Sequence, residues 1–142
     1  MSTAERATPA ITAAVVQAEA RIAVLPSFFP GIYGRVESAI YDWMRRMVPG
    51  YSGGYWEFCT LSNGGMFLYP RKTDGGTFHV EWYGNGFVGD LSPEATGLVM
   101  TLMAMSHLSF DIADERLSDN FCDVREYALQ LPEAGQIFAV LD

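Results

Sequence analysis

The stretch Pro49–Pro70, PGYSGGYWEFCTLSNGGMFLYP, decides how the rest of the chain is read. Tyr55 to Leu61 is rich in aromatic and β-type residues, Ser62-Asn63-Gly64-Gly65 interrupts it, and Met66 to Tyr69 is apolar again, which predicts a β-hairpin. Asn-Gly tolerates the two positive φ angles of a type I′ turn, whose twist matches paired strands. With Asn63 and Gly64 as the loop, Leu61 faces Met66, Thr60 faces Phe67, Cys59 faces Leu68 and Phe58 faces Tyr69, so that Trp56, Phe58, Phe67 and Tyr69 share one face. A second turn, Thr73-Asp74-Gly75-Gly76, leads into Thr77 to Tyr83. An Asp74-Gly75 loop then sets Tyr69 opposite Val80 and Phe67 opposite Trp82, adding Phe78, Val80 and Trp82 to the aromatic face and leaving Glu57, Cys59, Leu68, His79 and Glu81 on the other. Pro70 stands against this meander, because proline in a middle strand removes a ladder donor. Good pairing is therefore expected only over Met66 to Tyr69.

Helical signals flank the strands. Ala13 to Val24 is expected to form a short helix ending before Pro26, after about a dozen flexible residues, and Phe28, Phe29 and Pro30 read as an apolar anchor. From Ile32 to Met47, the residues Ile32, Val36, Ala39, Ile40, Trp43, Met44 and Met47 fall on one face at helical spacing, and Pro49-Gly50 stops the helix. Ser92-Pro93 is an N-cap followed by proline at the first helical position, and the helix it starts runs to about Phe110 with apolar residues nearly all round, as in a buried helix. Asp114 to Leu131 carries Leu117, Phe121, Val124, Ala128 and Leu131 on one face, and Glu133 to Leu141 is a last short helix. The fold class is α+β: a single compact domain over residues 25–142, preceded by a partly flexible or helical segment 1–24, with a three-stranded antiparallel meander and room for a short extra strand packed against several helices.

Composition narrows function. At 142 residues and 49% hydrophobic the chain can bury a core without metal or disulfide. Cys59 and Cys122 lack metal-ligand spacing and a secretory context, and no long apolar run precedes or interrupts the domain, so reduced thiols in the cytoplasm and no membrane span are expected. The net charge of −8 arises from 17 acids against nine bases and is concentrated in residues 111–142. A base-poor chain is a poor partner for a phosphate backbone, so tight DNA binding is not expected.

Motifs for chemistry fail on inspection. Gly84-Asn85-Gly86-Phe87-Val88-Gly89 matches G-x-G-x-x-G, but no helix opens at its last glycine, so it reads as a turn. Cys59 and His79 share a strand face in the expected register yet stand too far apart for a hydrogen-bonded pair, and His107 reads as a core or capping histidine. The aromatics lack interleaved Lys or Arg and read as core. No catalytic, cofactor-binding or metal-binding residues are assigned. One constellation remains: Glu115, Asp119, Asp123 and Glu126 recur as a stripe opposite Leu117, Phe121 and Val124, and are candidate partner-binding residues, since uncompensated carboxylates steer cationic partners.

Tyr41-Asp42-Trp43-Met44-Arg45-Arg46, the YSGGYW block at Tyr51–Trp56 and the LSNGG block at Leu61–Gly65 resemble the ArdB/KlcA family of antirestriction proteins. The likeness continues through Ser106-His107-Leu108-Ser109-Phe110, Arg125-Glu126-Tyr127-Ala128 and Pro132 to Phe138. Cys59 and Met66 depart from it, each standing where an aromatic residue is usual, so no family role falls on Cys59. The resemblance implies a cytoplasmic protein of plasmids or other mobile elements, without cofactor or catalysis, that protects incoming unmodified DNA from type I restriction-modification enzymes by acting directly or indirectly on that machinery. An acidic DNA mimic and a small Cys/His hydrolase are the alternatives.

Overall fold

The computed structural model describes residues 9–142 and has the α+β architecture expected. Its strands are β1 (Ala13–Val15), β2 (Trp56–Leu61), β3 (Met66–Pro70), β4 (Phe78–Trp82) and β5 (Phe87–Leu91); its helices are α1 (Arg21–Phe28), α2 (Tyr33–Met47), α3 (Pro93–Asp111), α4 (Glu115–Leu129) and α5 (Ala134–Leu141). The strands form two antiparallel sheets, β1-β2-β3 and β4-β5, in place of one meander.

The hairpin is present, one residue out of the expected register. Thr60 pairs with Met66, Cys59 with Phe67, Phe58 with Leu68 and Trp56 with Pro70. The loop has three residues, Ser62-Asn63-Gly64: Gly64 alone takes the left-handed conformation (φ +99°), and the Leu61 amide bonds the Gly65 carbonyl at 2.8 Å. This is the three-residue loop closed by a left-handed glycine, and it spares Asn63 a positive φ. Asn63 instead uses its side chain, accepting from the Gly65 amide (3.2 Å) and donating to the Asp123 carbonyl (2.9 Å). A one-residue slip moves side chains to the opposite face, so Trp56 and Phe58 lie with Met66 and Leu68, while Phe67 and Tyr69 lie with Glu57 and Cys59.

Both faces of this sheet are covered, which is why the expected single aromatic face does not exist. On the first, Tyr41 of α2 meets Trp56 at 5.2 Å between ring centroids and Arg21 of α1 lies over Phe58 at 4.7 Å. On the second, Tyr127 of α4 stacks on Phe67 at 5.7 Å. β2 is the central strand and reads as a nearly continuous buried run, Glu57 included.

Pro70 ends an edge strand and no middle one. Along the outer edge of β3, Asn120 accepts from the Met66 amide (2.8 Å) and donates to the Met66 carbonyl (3.1 Å), and Thr101 Oγ1 accepts from the Leu68 amide (3.3 Å). Two residues on, proline has no N–H left to satisfy. Side chains of α4 and α3 thus occupy the positions a further strand would take, and the segment after Pro70 leaves the sheet through the Asp74-Gly75 turn. β4 pairs with β5, the short extra strand, with Trp82 opposite Phe87 and Val80 opposite Gly89. The G-x-G-x-x-G match is the turn and strand of this hairpin.

The third strand of the main sheet comes from a segment read as helix. Residues 13–15 pair with 59–61, and the Val16 amide bonds the Phe58 carbonyl at 2.8 Å. The free edge of β2 needs a partner, and Ile11, Thr12, Val15 and Val16 are β-branched, so pairing overrides the helix preference of the alanines. Helix begins later and includes Pro26. The expected flexibility of the first residues falls in part on residues 1–8, outside those described.

α3 is the hub. Ser92 Oγ accepts from the Ala95 amide (3.1 Å), Pro93 opens the helix, and twelve of its residues, Ala95 through Met105 and Leu108, are buried. Gly97 lets its backbone lie directly on β3: a Cβ there would overlap the Leu68 carbonyl oxygen and Tyr69 Cβ. α2, α4 and α5 pack around α3, with Val36, Ile40, Met44 and Met47 fully buried along α2 as the helical spacing predicts.

Candidate functional site

α4 sets out the candidate site through its own capping chemistry. Asp114 N-caps the helix, accepting from the Arg116 amide (3.0 Å), and also binds the Arg116 guanidinium. Those bonds hold its carboxyl down at about 2. Arg116 reaches on to the Pro30 carbonyl (3.1 Å). The first cation of α4 is thereby committed, and the second, Arg125, lies over the Phe138 ring on another side of the helix.

Glu115, Asp119, Asp123 and Glu126 consequently have no ion pair among the described residues. Glu115, Asp119 and Glu126 are exposed, whereas Asp123 is half-buried against the hairpin loop. A Cβ on Gly65 would stand 2.7 Å from Asp123 Cβ, so glycine is what lets the loop and helix meet there. Partial burial, then the negative charges of Asp119 and Glu126, push the Asp123 carboxyl upward. The stripe is a coupled triad with Glu115 a turn or more away from it. Its border is polar and was not foreseen: besides Asn63, Gln130 accepts from the Ile11 amide (3.0 Å) and donates back to the Ile11 carbonyl. The available signal for Asn120 was a polar residue at helical spacing within the Leu117, Val124, Ala128 stripe. Chemically, this face can attract and bond cations, and the exposed Cys122 thiol lies beside it on the same helix.

The other candidate chemistry is dispersed. Cys59 is buried on the three-stranded sheet, and burial first, then Glu94 and Glu57, pushes its thiol up to about 12, far from a reactive thiolate. His79 lies on the separate β4-β5 sheet, exposed, between Asp90 (2.8 Å) and Glu81 (3.0 Å), so it forms no pair with Cys59. His107 is neither core nor cap: it is exposed, with its ring 4.6 Å from that of Trp43 and its Nδ1 3.0 Å from the Met103 carbonyl. Among the described residues no group of three His, Cys, Asp or Glu is arranged to hold a metal, and no helix is long and apolar enough to cross a membrane.

Comparison with known proteins places this architecture. Residues 49–142 match the family model described as antirestriction protein. The chain is 37% identical over 137 residues to the antirestriction protein KlcA of Escherichia coli, covering 93% of this chain and 95% of that one. It is also 37% identical over 134 residues to the uncharacterized protein YafX of Escherichia coli strain K12, covering 93% and 88%. Its fold matches a solved structure from work on the KlcA and ArdB proteins with a TM-score of 0.87 and 37% identity, over 96% of this chain and 99% of that one. Those proteins are described as having a novel fold and antirestriction activity against type I DNA restriction systems in vivo but not in vitro. This chain belongs to the antirestriction protein family.

Proposed function

We propose that this protein protects incoming unmodified DNA from type I restriction-modification enzymes in the bacterial cytoplasm, by binding and without catalysis, and that its effect needs a cellular component beyond the purified nuclease. The carrying observation is the likeness, over nearly the whole chain, to KlcA and ArdB proteins active in vivo but not in vitro. The acidic face of α4 is the surface we assign to that component. Asp119, Asp123 and Glu126 lie together with no ion pair among the described residues, and such a patch steers a basic partner.

A DNA mimic would use the same charges differently. From Glu115 to Glu126 the helix spans about 16 Å with four carboxylates, whereas duplex DNA carries one charge per roughly 1.7 Å of axis. The stripe is too sparse to imitate a duplex. The buried Cys59 thiol likewise argues against the hydrolase.

The test is transfer of unmodified DNA into restricting cells with and without the protein, run beside the purified nuclease reaction. Protection in cells with none in the purified reaction is the expected result, and inhibition in both would refute the need for a further component. Asp119→Asn with Asp123→Asn removes two charges at nearly constant volume and should lower protection about tenfold, the low end of electrostatic steering effects. Full protection by this folded double variant would leave the stripe as ordinary solvated surface.

A further inference from the structure

A groove of about 740 Å³ opens where α3, α4, α5 and the β4-β5 turn meet, away from the acidic face. Its volume lies within the range of small-molecule sites, which combine an apolar lining with a few placed polar groups. Trp82, Phe121 and Phe138 supply aromatic walls. Trp82 is held edge-on to Trp43 with centroids 5.3 Å apart, and Trp43 also backs the His107 ring.

Arg125, His107, Ser106, Asn85 and Asp142 supply the polar groups, and the first two are placed to meet a ligand. Arg125 lies over Phe138 with its guanidinium carbon 5.4 Å from the ring centroid and makes no ion pair among the described residues. Three other arginines are ion-paired: Arg45 with Asp42, Arg71 with Glu57 and Arg116 with Asp114. Asp142 is the one carboxylate lining the groove, and it is not within ion-pair reach of Arg125. His107 donates Nδ1–H to the Met103 carbonyl, which leaves Nε2 as the ring nitrogen free for a ligand. Asn85, also at the rim, is fully used: its Nδ2 donates to the Ala139 and Val140 carbonyls, and its Oδ1 accepts from the Phe87 amide.

We propose that this groove is a binding site for an amphipathic organic anion, a carboxylate carried on an aromatic or branched apolar body. The carboxylate takes the planar fork of Arg125, which suits it bidentately, and the apolar body lies among Trp82, Phe121 and Phe138. The groove offers charge and rings but no set of free amides to read a nucleobase edge, so an apolar acid fits it better than a nucleotide. This inference does not rest on the antirestriction reading.

The test uses the full chain and three probes: 4-phenylbutyrate, its neutral amide, and the dipeptide acid N-acetyl-Leu-Phe, followed by tryptophan fluorescence and by the NMR signals of His107. Saturable binding of either acid, at least tenfold tighter than the amide, is expected, and the preferred acid tells whether the natural source is a free small molecule or a peptide carboxylate. Arg125→Gln should weaken acid binding at least tenfold and leave the amide unchanged, while Arg125→Lys keeps part of the affinity. Both variants change an exposed residue, and circular dichroism checks their folding. Absence of saturable binding, equal affinity for acid and amide, or acid binding unaffected by Arg125→Gln would overturn the proposal.

Discussion

Replacing Asn120 by alanine tests why the main sheet stops at β3. The side chain is 5% exposed and bonds both backbone groups of Met66, which is itself fully buried. Deleting it removes two hydrogen bonds, each worth about 1 kcal/mol net, but the larger cost is leaving a buried N–H and C=O without partners, at about 1–3 kcal/mol per group. A water entering the vacated space offsets part of this. The sum is about 3–4 kcal/mol, a large share of the 5–15 kcal/mol typical of a domain, and corresponds to roughly 10–15 °C in Tm at this length. Asn120→Asp is the sharper comparison, because it keeps the shape and the acceptor for the Met66 amide but sets a carboxylate oxygen against the Met66 carbonyl. It should cost at least as much as alanine. Urea unfolding gives the energies, and amide hydrogen exchange should show Met66 losing protection in Asn120→Ala, which removes its acceptor. If Asn120→Ala unfolds within about 0.5 kcal/mol of wild type, the ordinary range for surface changes, then Asn120 does not close that edge.

Two further outcomes follow from the same geometry. Gly97→Ala should destabilise by about 1–3 kcal/mol as an overpacked contact, against the gain of about 1 kcal/mol that alanine brings to an open helix position; a raised Tm would mean that α3 does not lie on the β3 backbone. The His79 pKa is raised above its ordinary value, first by its bond to Asp90 and then by that to Glu81, so the stability it contributes is fully present below its unfolded pKa of about 6.5 and is lost as pH rises through the raised folded value. Asp90→Asn should lower the His79 midpoint in an NMR titration and flatten that acid-side gain; an unchanged midpoint would show that the exposed cluster does not form in solution.

The fold was legible at most of the local signals, the alanine-rich start excepted, where pairing with β2 overrides the helix preference of residues 13–15. Ser92-Pro93, the spacing of Val36, Ile40, Met44 and Met47, and the unbroken apolarity of α3 each carry their own information, and each element forms close to where that information puts it. The errors share a different character. Ser62-Asn63-Gly64-Gly65 is compatible with a two-residue and a three-residue loop, and the choice depends on Asn63 reaching the Asp123 carbonyl, 60 positions away. Two turns with agreeing registers predict the pairing of β3 with β4. What overrides it is again distant: Thr101 and Asn120, on helices read only for their apolar faces, take the edge that β4 would have used. Pro70 was the local residue that objected, and its objection was sound.

Charge shows the same division between composition and geometry. Residues 111–142 hold most of the negative balance, which suggests a diffuse acidic tail. Folding narrows it. Asp114 is spent on Arg116 and its own helix cap, and Glu133 accepts from both the Ser92 amide and the Ser92 hydroxyl, tying the start of α5 to the start of α3. What remains on α4 without an ion pair among the described residues is Asp119, Asp123 and Glu126 with Glu115 beyond them, bounded by the hairpin loop on one side. A patch of that size acts over about one Debye length, roughly 8 Å at physiological salt, so it can orient a nearby basic loop or helix, while its carboxylates repel the phosphates of a nucleic acid. That is the physical reason for assigning the face to a protein partner, and it makes antirestriction in cells, measured with Asp119 and Asp123 neutralised, the decisive measurement for this surface.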